Sequence, residues 1–255
     1  LICVLGQAIT DISKMNGADK EMTVLGIDTS SAFASAALVK NGTLAASFTL
    51  NAGHTHSETI LPMIKNVLGA SSVTVDEISL VACTTGPGSF TGVRIGVSSA
   101  KGLCEPRRIP CVGVSALEAA SYTAAETDGI CVPVTDARRG NVYAAAFDVR
   151  GEKPVRLFED TIIPIGELCA LLGQYGQTVY FVGDAAEALS RAAHECGLHS
   201  PALSPCMRIS QTASGACFAA IDAWKCASDK EKFEAKYLSP VYLRDGRISN
   251  PGGEK

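Results

Sequence analysis

Ile78-Ser-Leu-Val-Ala-Cys-Thr84 passes through Thr85 into Gly86-Pro-Gly-Ser-Phe-Thr-Gly-Val-Arg-Ile-Gly96. The first part is an apolar run of strand length. Two glycines and a proline then force a turn. Val93, Val97, Ala100 and Cys104 follow at helical spacing, so a helix runs to about Cys104. Strand, turn and helix in immediate succession is the unit of an α/β fold. Upstream, Val24 to Asp28 reads as a buried strand. Ala34 to Val39 and Thr43 to Leu50 flank Asn41-Gly42, a strong hairpin signal. A helix follows over about His54 to Leu68, with Thr55-His-Ser-Glu58 in capping-box spacing. Pro62 implies either a kink or a later start. A strand at Cys111 to Val114 and a helix from Ser115 to Ala125 complete this half.

The pattern then restarts. Val134-Thr-Asp136 repeats the strand-then-aspartate of Gly26-Ile-Asp28. Val142 to Val149 with Arg150-Gly151 repeats Ala34 to Val39 with Asn41-Gly42. The spacing supports an internal duplication, although two unrelated α/β halves can share a strand and hairpin. Helices are expected over Ile165 to Gln174, Asp184 to Cys196 and Thr212 to Lys225, the last capped by Ser210. Strands are expected at Thr178 to Val182 and Tyr237 to Arg244. The organisation is therefore an extension over residues 1–21, a first half over 22–125, a second over 126–244 and a loose tail over 245–255. Met22 opens the folded part.

The 255 residues carry 22 basic and 26 acidic side chains, a net charge of −4. That balance excludes a global basic field for nucleic acid. Hydrophobic residues at 47% and charged residues at 19% exclude a disordered chain. No apolar run reaches the roughly 18 residues of a membrane span, and Leu1 to Leu5 lacks the basic flank of a signal peptide. Ten cysteines lie dispersed, without the paired spacing of zinc or thioredoxin sites, and read as reduced core thiols in a reducing, cytoplasmic compartment.

Four groupings are chemically suggestive. Asp28 and Asp136 at strand ends are compatible with carboxylates holding magnesium across a cleft, with Thr29, Ser30 and Ser31 on phosphate; simple Asx turns are the alternative. Gly86, Gly88 and Ser89 before a helix suit an anion cradle or a tight packing turn. Gly92 and Gly96, one turn apart with Ser99, form a ridge that lets another element come close, inside this chain or on a partner. Ile60, Leu61, Met63, Ile64, Val67 and Leu68 span about 160° of their helix, wider than one core face needs. His54, His56, His194 and His199 include no i, i+4 metal pair, so no metal is expected. Arg138 and Arg139 beside Asp136 make a small basic spot.

Gly26-Ile-Asp-Thr-Ser30, His56-Ser-Glu58 with Leu61-Pro62, the Gly86 to Gly96 motif, Asp136-Ala-Arg-Arg-Gly-Asn-Val-Tyr143 and Ser239-Pro-Val-Tyr-Leu-Arg244 together resemble the TsaB (YeaZ) family, from Met22 to about Arg244. The resemblance implies an actin/Hsp70/sugar-kinase-like (ASKHA, ribonuclease H-like) fold with two duplicated βββαβα halves, the second reduced. It also implies a bacterial, cytosolic protein that helps make threonylcarbamoyladenosine beside the tRNA anticodon. Its implied role is a non-catalytic subunit of the catalytic protein TsaD, joined by the ATPase TsaE, and a homodimer in isolation. On that basis no cofactor is expected on this chain; ATP or ADP, magnesium and the catalytic metal fall to the partners, and tRNA is met through the complex. The implied partner surface comprises His56, Glu58, Ile60, Leu61, Met63, Ile64, Val67, Gly92, Val93, Gly96, Val97, Ser99 and Ala100. Asp28, Thr29, Ser30, Gly86, Gly88, Ser89, Asp136 and Arg138 are read as a vestigial phosphate cleft. An ATP-dependent phosphotransferase or ATPase of the same fold is the alternative, and a metallopeptidase the weaker third.

Overall fold

A computed structural model describes residues 22–51, 53, 55–124, 127–200, 212–244 and 247–249. The proposed extension over 1–21 and the cap at Ser210 lie outside these residues. Strands β1 (Thr23–Asp28), β2 (Ala34–Lys40) and β3 (Thr43–Leu50) form a meander. Its first turn carries Asn41 and Gly42 at positive φ, as the Asn-Gly signal requires. Helix α1 (His56–Ala70) leads to β4 (Leu80–Gly86), α2 (Phe90–Cys104), β5 (Cys111–Ser115) and α3 (Ala116–Ser121). The first sheet has the order β3-β2-β1-β4-β5, with β4 parallel to both β1 and β5.

The second half repeats this plan. Strands β6 (Ile130–Arg138), β7 (Asn141–Asp148) and β8 (Val155–Pro164) form a second meander, followed by α4 (Ile165–Gly173), β9 (Val179–Val182) and α5 (Ala186–Glu195). Its sheet has the order β8-β7-β6-β9 and lacks an equivalent of β5 among the described residues. Both halves thus run βββαβα, the duplicated actin/Hsp70/sugar-kinase-like arrangement with the second half reduced. The last helix, α6 (Thr212–Cys226), departs from its own half. It packs on β1, β2, β4 and β5 and against α3.

Alternation of side chains builds the layers. Leu25, Ile27 and Leu38 face α1 and α2. Val24, Leu80 and Val112 face α6 and α3 through Ala216, Ala220 and Ala119. Helix α3 also meets the second sheet, with Leu117 and Ala120 against Cys131, Phe147 and Val182. The outer face of that sheet is covered by α4 and α5 through Leu168, Leu172 and Leu189. An ionic cluster clips the halves together. Ser115 Oγ donates to Asp160 at 2.5 Å, and Arg156 reaches Asp160 at 2.7 Å and Glu118 at 3.3 Å.

Local expectations need three corrections. Thr55 precedes α1 without a side-chain cap, its Oγ1 lying 3.2 Å from Ser57 Oγ. The capping box forms instead at Thr74 and Glu77. Helix α1 runs through Pro62, which sits on its exposed side. Residues 247–249 are not loose: β11 (Arg247–Ser249) pairs antiparallel with β10 (Tyr242–Arg244).

Candidate functional site

The β1 end, the β4 end and the start of α2 converge on Asp28. Its carboxylate is buried, and Oδ1 accepts from Ser30 N at 2.9 Å, Ser30 Oγ at 2.6 Å and Thr84 Oγ1 at 2.5 Å. Burial pushes the Asp28 pKa up, and the bonds from Ser30 and Thr84 oppose the rise.

The next residues are enclosed by the glycine motif. A Cβ on Gly88 would lie 2.1 Å from the Ser30 carbonyl oxygen, and one on Gly92 would lie 2.1 Å from that of Thr29. A Cβ on Gly96 would lie 2.4 Å from Thr29 Oγ1. Hydrogen bonds stitch the same surfaces. Ser89 N donates to Ser30 O at 2.7 Å, and Thr29 Oγ1 donates to Gly92 O at 2.7 Å. Ser89 Oγ caps the helix by accepting from Gly92 N at 3.1 Å. The space that an anion cradle would offer here is filled by residues 28–30 of the chain itself.

The second acidic corner differs. Asp136 is exposed; its Oδ1 accepts from Arg138 N at 2.7 Å, and its own N–H donates to Asp184 Oδ1 at 3.0 Å. Arg138 and Arg139 take positive φ in the β6–β7 turn. The expected pair of matching carboxylates is therefore corrected: Asp28 is enclosed and Asp136 is solvated in an Asx turn. Asp184, which accepts from the Asp136 amide, carried no sequence signal.

The C-terminal segment completes the wall. Val241 N donates to Thr85 O at 2.8 Å, and a Cβ on Gly86 would stand 2.6 Å from Val241 O. Arg94 Nε donates to the Tyr242 hydroxyl at 2.7 Å, with its guanidinium 3.9 Å over the Phe90 ring. A cleft of about 170 Å³ lies beside this stack, lined by Pro87, Gly88, Tyr143 and Leu243 among others. Arg94 and Tyr242 lie in segments quoted above, but nothing in their spacing pairs residues so far apart in sequence.

The expected partner surface needs a larger correction. Ile60, Met63, Ile64, Val67, Val93, Val97 and Ala100 are buried in the chain's own core. Gly92 and Gly96 face Thr29. His56 is half-buried, its Nε2–H donating to Ser31 O at 2.8 Å. The wide apolar arc of α1 is covered by the first sheet and by α2, because the helix lies in the angle between them. What faces outward is narrower. On α1 it comprises Glu58, Leu61, Pro62 and Lys65; on α2 it comprises Ser98 and Gly102, flanked by half-buried Ile95 and Ser99. Leu61 is 57% exposed. Among the described residues, no group of three or more His, Cys, Asp or Glu side chains is placed to hold a metal, and no helix is long and apolar enough to cross a membrane.

Residues 50–246 match the family model of TsaD, tRNA N6-adenosine threonylcarbamoyltransferase. The tRNA threonylcarbamoyladenosine biosynthesis protein TsaB of Bacillus subtilis is 32% identical over 162 residues, 64% of this chain and 71% of that protein. Its namesake from Escherichia coli K12 is 38% identical over 142 residues, 55% of this chain and 61% of that one. A crystal structure from Pseudomonas aeruginosa, described as similar to peptidase YeaZ, superposes with a TM-score of 0.71 at 24% identity, covering 88% of this chain and all of the other. A structure of YeaZ from the same species gives 0.68 at 21% identity, covering 87% of this chain and all of the other. With the duplicated topology and the glycine motif in place, these likenesses establish that the chain belongs to the TsaB (YeaZ) family.

Proposed function

We propose that this protein serves tRNA threonylcarbamoyladenosine formation as a non-catalytic subunit that docks onto a TsaD-type transferase and supports it. The names of the TsaB relatives supply the pathway. One observation carries the non-catalytic role. The corner where a phosphate would meet the β1 turn and the α2 N-terminus is occupied by the chain's own Thr29 and Ser30, bonded to Gly92 and Ser89. ATP or ADP, magnesium and the transferase's metal then reside on partners, TsaD and the ATPase TsaE, and tRNA is met through the assembly.

Docking uses the outward strip of α1 and α2. Leu61 and Pro62 supply apolar area, and Ser98, Ser99 and Gly102 let a facing helix approach closely. The same strip, uncovered, brings two copies together in isolation, so homodimer and heterodimer compete.

The deciding experiment uses Leu61→Arg, which alters an exposed position and leaves the core intact. Mixed with a TsaD-type partner, the wild-type chain co-elutes, and the variant weakens assembly by about 10-fold or more, the loss typical of a buried interface anchor. In cells it lowers threonylcarbamoyladenosine in bulk tRNA, read by mass spectrometry. Unchanged assembly of Leu61→Arg rejects the docking surface. Tight Mg-ATP binding and turnover by the isolated chain rejects the non-catalytic role in favour of a phosphotransferase.

A further inference from the structure

Eight cysteines fall among the described residues, six buried and two exposed, Cys196 and Cys226. Two pairs bring thiols into direct interaction. Cys104 and Cys111 share a hydrogen bond where α2 meets β5, and both are buried. Cys169 in α4 shares a hydrogen bond with Cys196 at the end of α5, and only the second of these thiols is open to solvent.

We propose that Cys169 and Cys196 form a peroxide-sensitive thiol pair whose oxidation cross-links α4 to α5. The surroundings favour this pair over Cys104 and Cys111, since a reagent can reach one member. Cys169 is anchored in the core of the second half beside Leu168 and Leu172. Cys196 follows the last turn of α5, its N–H on Ala192 O, and Gly197 at positive φ ends the helix. That terminal turn is at the surface, so the sulfurs can close to the roughly 2 Å of a disulfide without disturbing the sheet. Burial and the neighbouring Cys196 push the Cys169 thiol up to about 11, which keeps it protonated and leaves Cys196 as the first to react.

The chemistry balances with a hydroperoxide as oxidant. The Cys196 thiolate attacks the terminal oxygen of ROOH; an S–O bond forms, the O–O bond breaks, and ROH leaves after taking up a proton. The Cys169 thiol then attacks the sulfenic sulfur. An S–S bond forms, the S–O bond breaks, and the hydroxyl departs as water with the thiol's proton. Two thiols are oxidised and one peroxide is reduced.

The full-length protein, reduced and then exposed to hydrogen peroxide under native conditions, supplies the test. After alkylation of remaining thiols and digestion in acid, peptide mass mapping is expected to find Cys169 joined to Cys196, with Cys104 and Cys111 both recovered as free thiols. In Cys169→Ser the sulfenic acid on Cys196 persists and is trapped by dimedone. In Cys196→Ser, an exposed change, Cys169 stays reduced. Recovery of Cys169 as a free thiol while Cys196 is oxidised, or linkage of Cys196 to Cys226 instead, overturns the proposal.

Discussion

Replacing Gly92 by alanine tests the packing on which the enclosed Asp28 corner rests. The added Cβ would stand 2.1 Å from the Thr29 carbonyl oxygen, so the two must part by about 1 Å to reach a normal contact. Thr29 cannot yield freely, because its Oγ1 is bonded to Gly92 O and the adjoining Ser30 O is bonded to Ser89 N. Overpacking of this kind costs about 1–3 kcal/mol. Weakening the Thr29 hydrogen bond adds about 1 kcal/mol. Alanine returns about 1 kcal/mol through better helix propensity. The net expectation is a loss of about 2 kcal/mol, which moves a urea midpoint down by just under ~1 M for a chain of this size. Gly102 lies on the same helix, and a methyl added there would meet nothing within 4 Å. Gly102→Ala should therefore stabilise by about 0.5–1 kcal/mol. Circular dichroism through a urea series reads both variants. Opposite signs support the packing; a Gly92→Ala protein as stable as Gly102→Ala refutes it.

Other expectations follow from the charged groups. Burial raises the Asp28 pKa, so the folded chain holds this proton where the unfolded chain, near ~3.9, has released it. Its contribution is thus fully present at low pH and declines as pH rises above about 4. Asp28→Asn keeps an oxygen acceptor and cannot ionise, so its stability relative to wild type should grow from about pH 4 to about pH 7; a constant difference across urea midpoints contradicts this. Arg156→Ala strands Asp160 and Glu118 between the halves and should cost about 2 kcal/mol by the same assay; a neutral result would remove the clip. Asp148 is held down to about 2 by its hydrogen bonds from Arg150. Arg150→Ala should return its carboxyl to about 3.9, measured by carbon NMR titration.

The strands were legible because each carries its burial in its own order of residues: β1, β2 and β4 are almost wholly buried and read as continuous apolar runs. Asn41-Gly42 announced its turn chemically. The glycine motif was legible as a close approach, but helical spacing says only that something comes near, not what. Gly92 and Gly96 admit a peptide of the chain itself, the Thr29 turn. The arc of α1 misled for a related reason: a helix wedged between a sheet and a second helix buries two faces, which on a helical wheel looks like one face inside and one left over. Arg94 with Tyr242, and Asp136 with Asp184, were invisible because distant segments meet only through the sheet topology.

Helix α6 carries a consequence for how the protein is made. It shields the face of the first sheet bearing Val24, Leu80 and Val112, yet it lies after every strand of the second sheet. During synthesis the earlier half leaves the ribosome with that face bare, and it stays so until Cys226 has emerged. Cutting the chain between its halves would yield no self-sufficient piece, so the repeated plan does not make two separable modules.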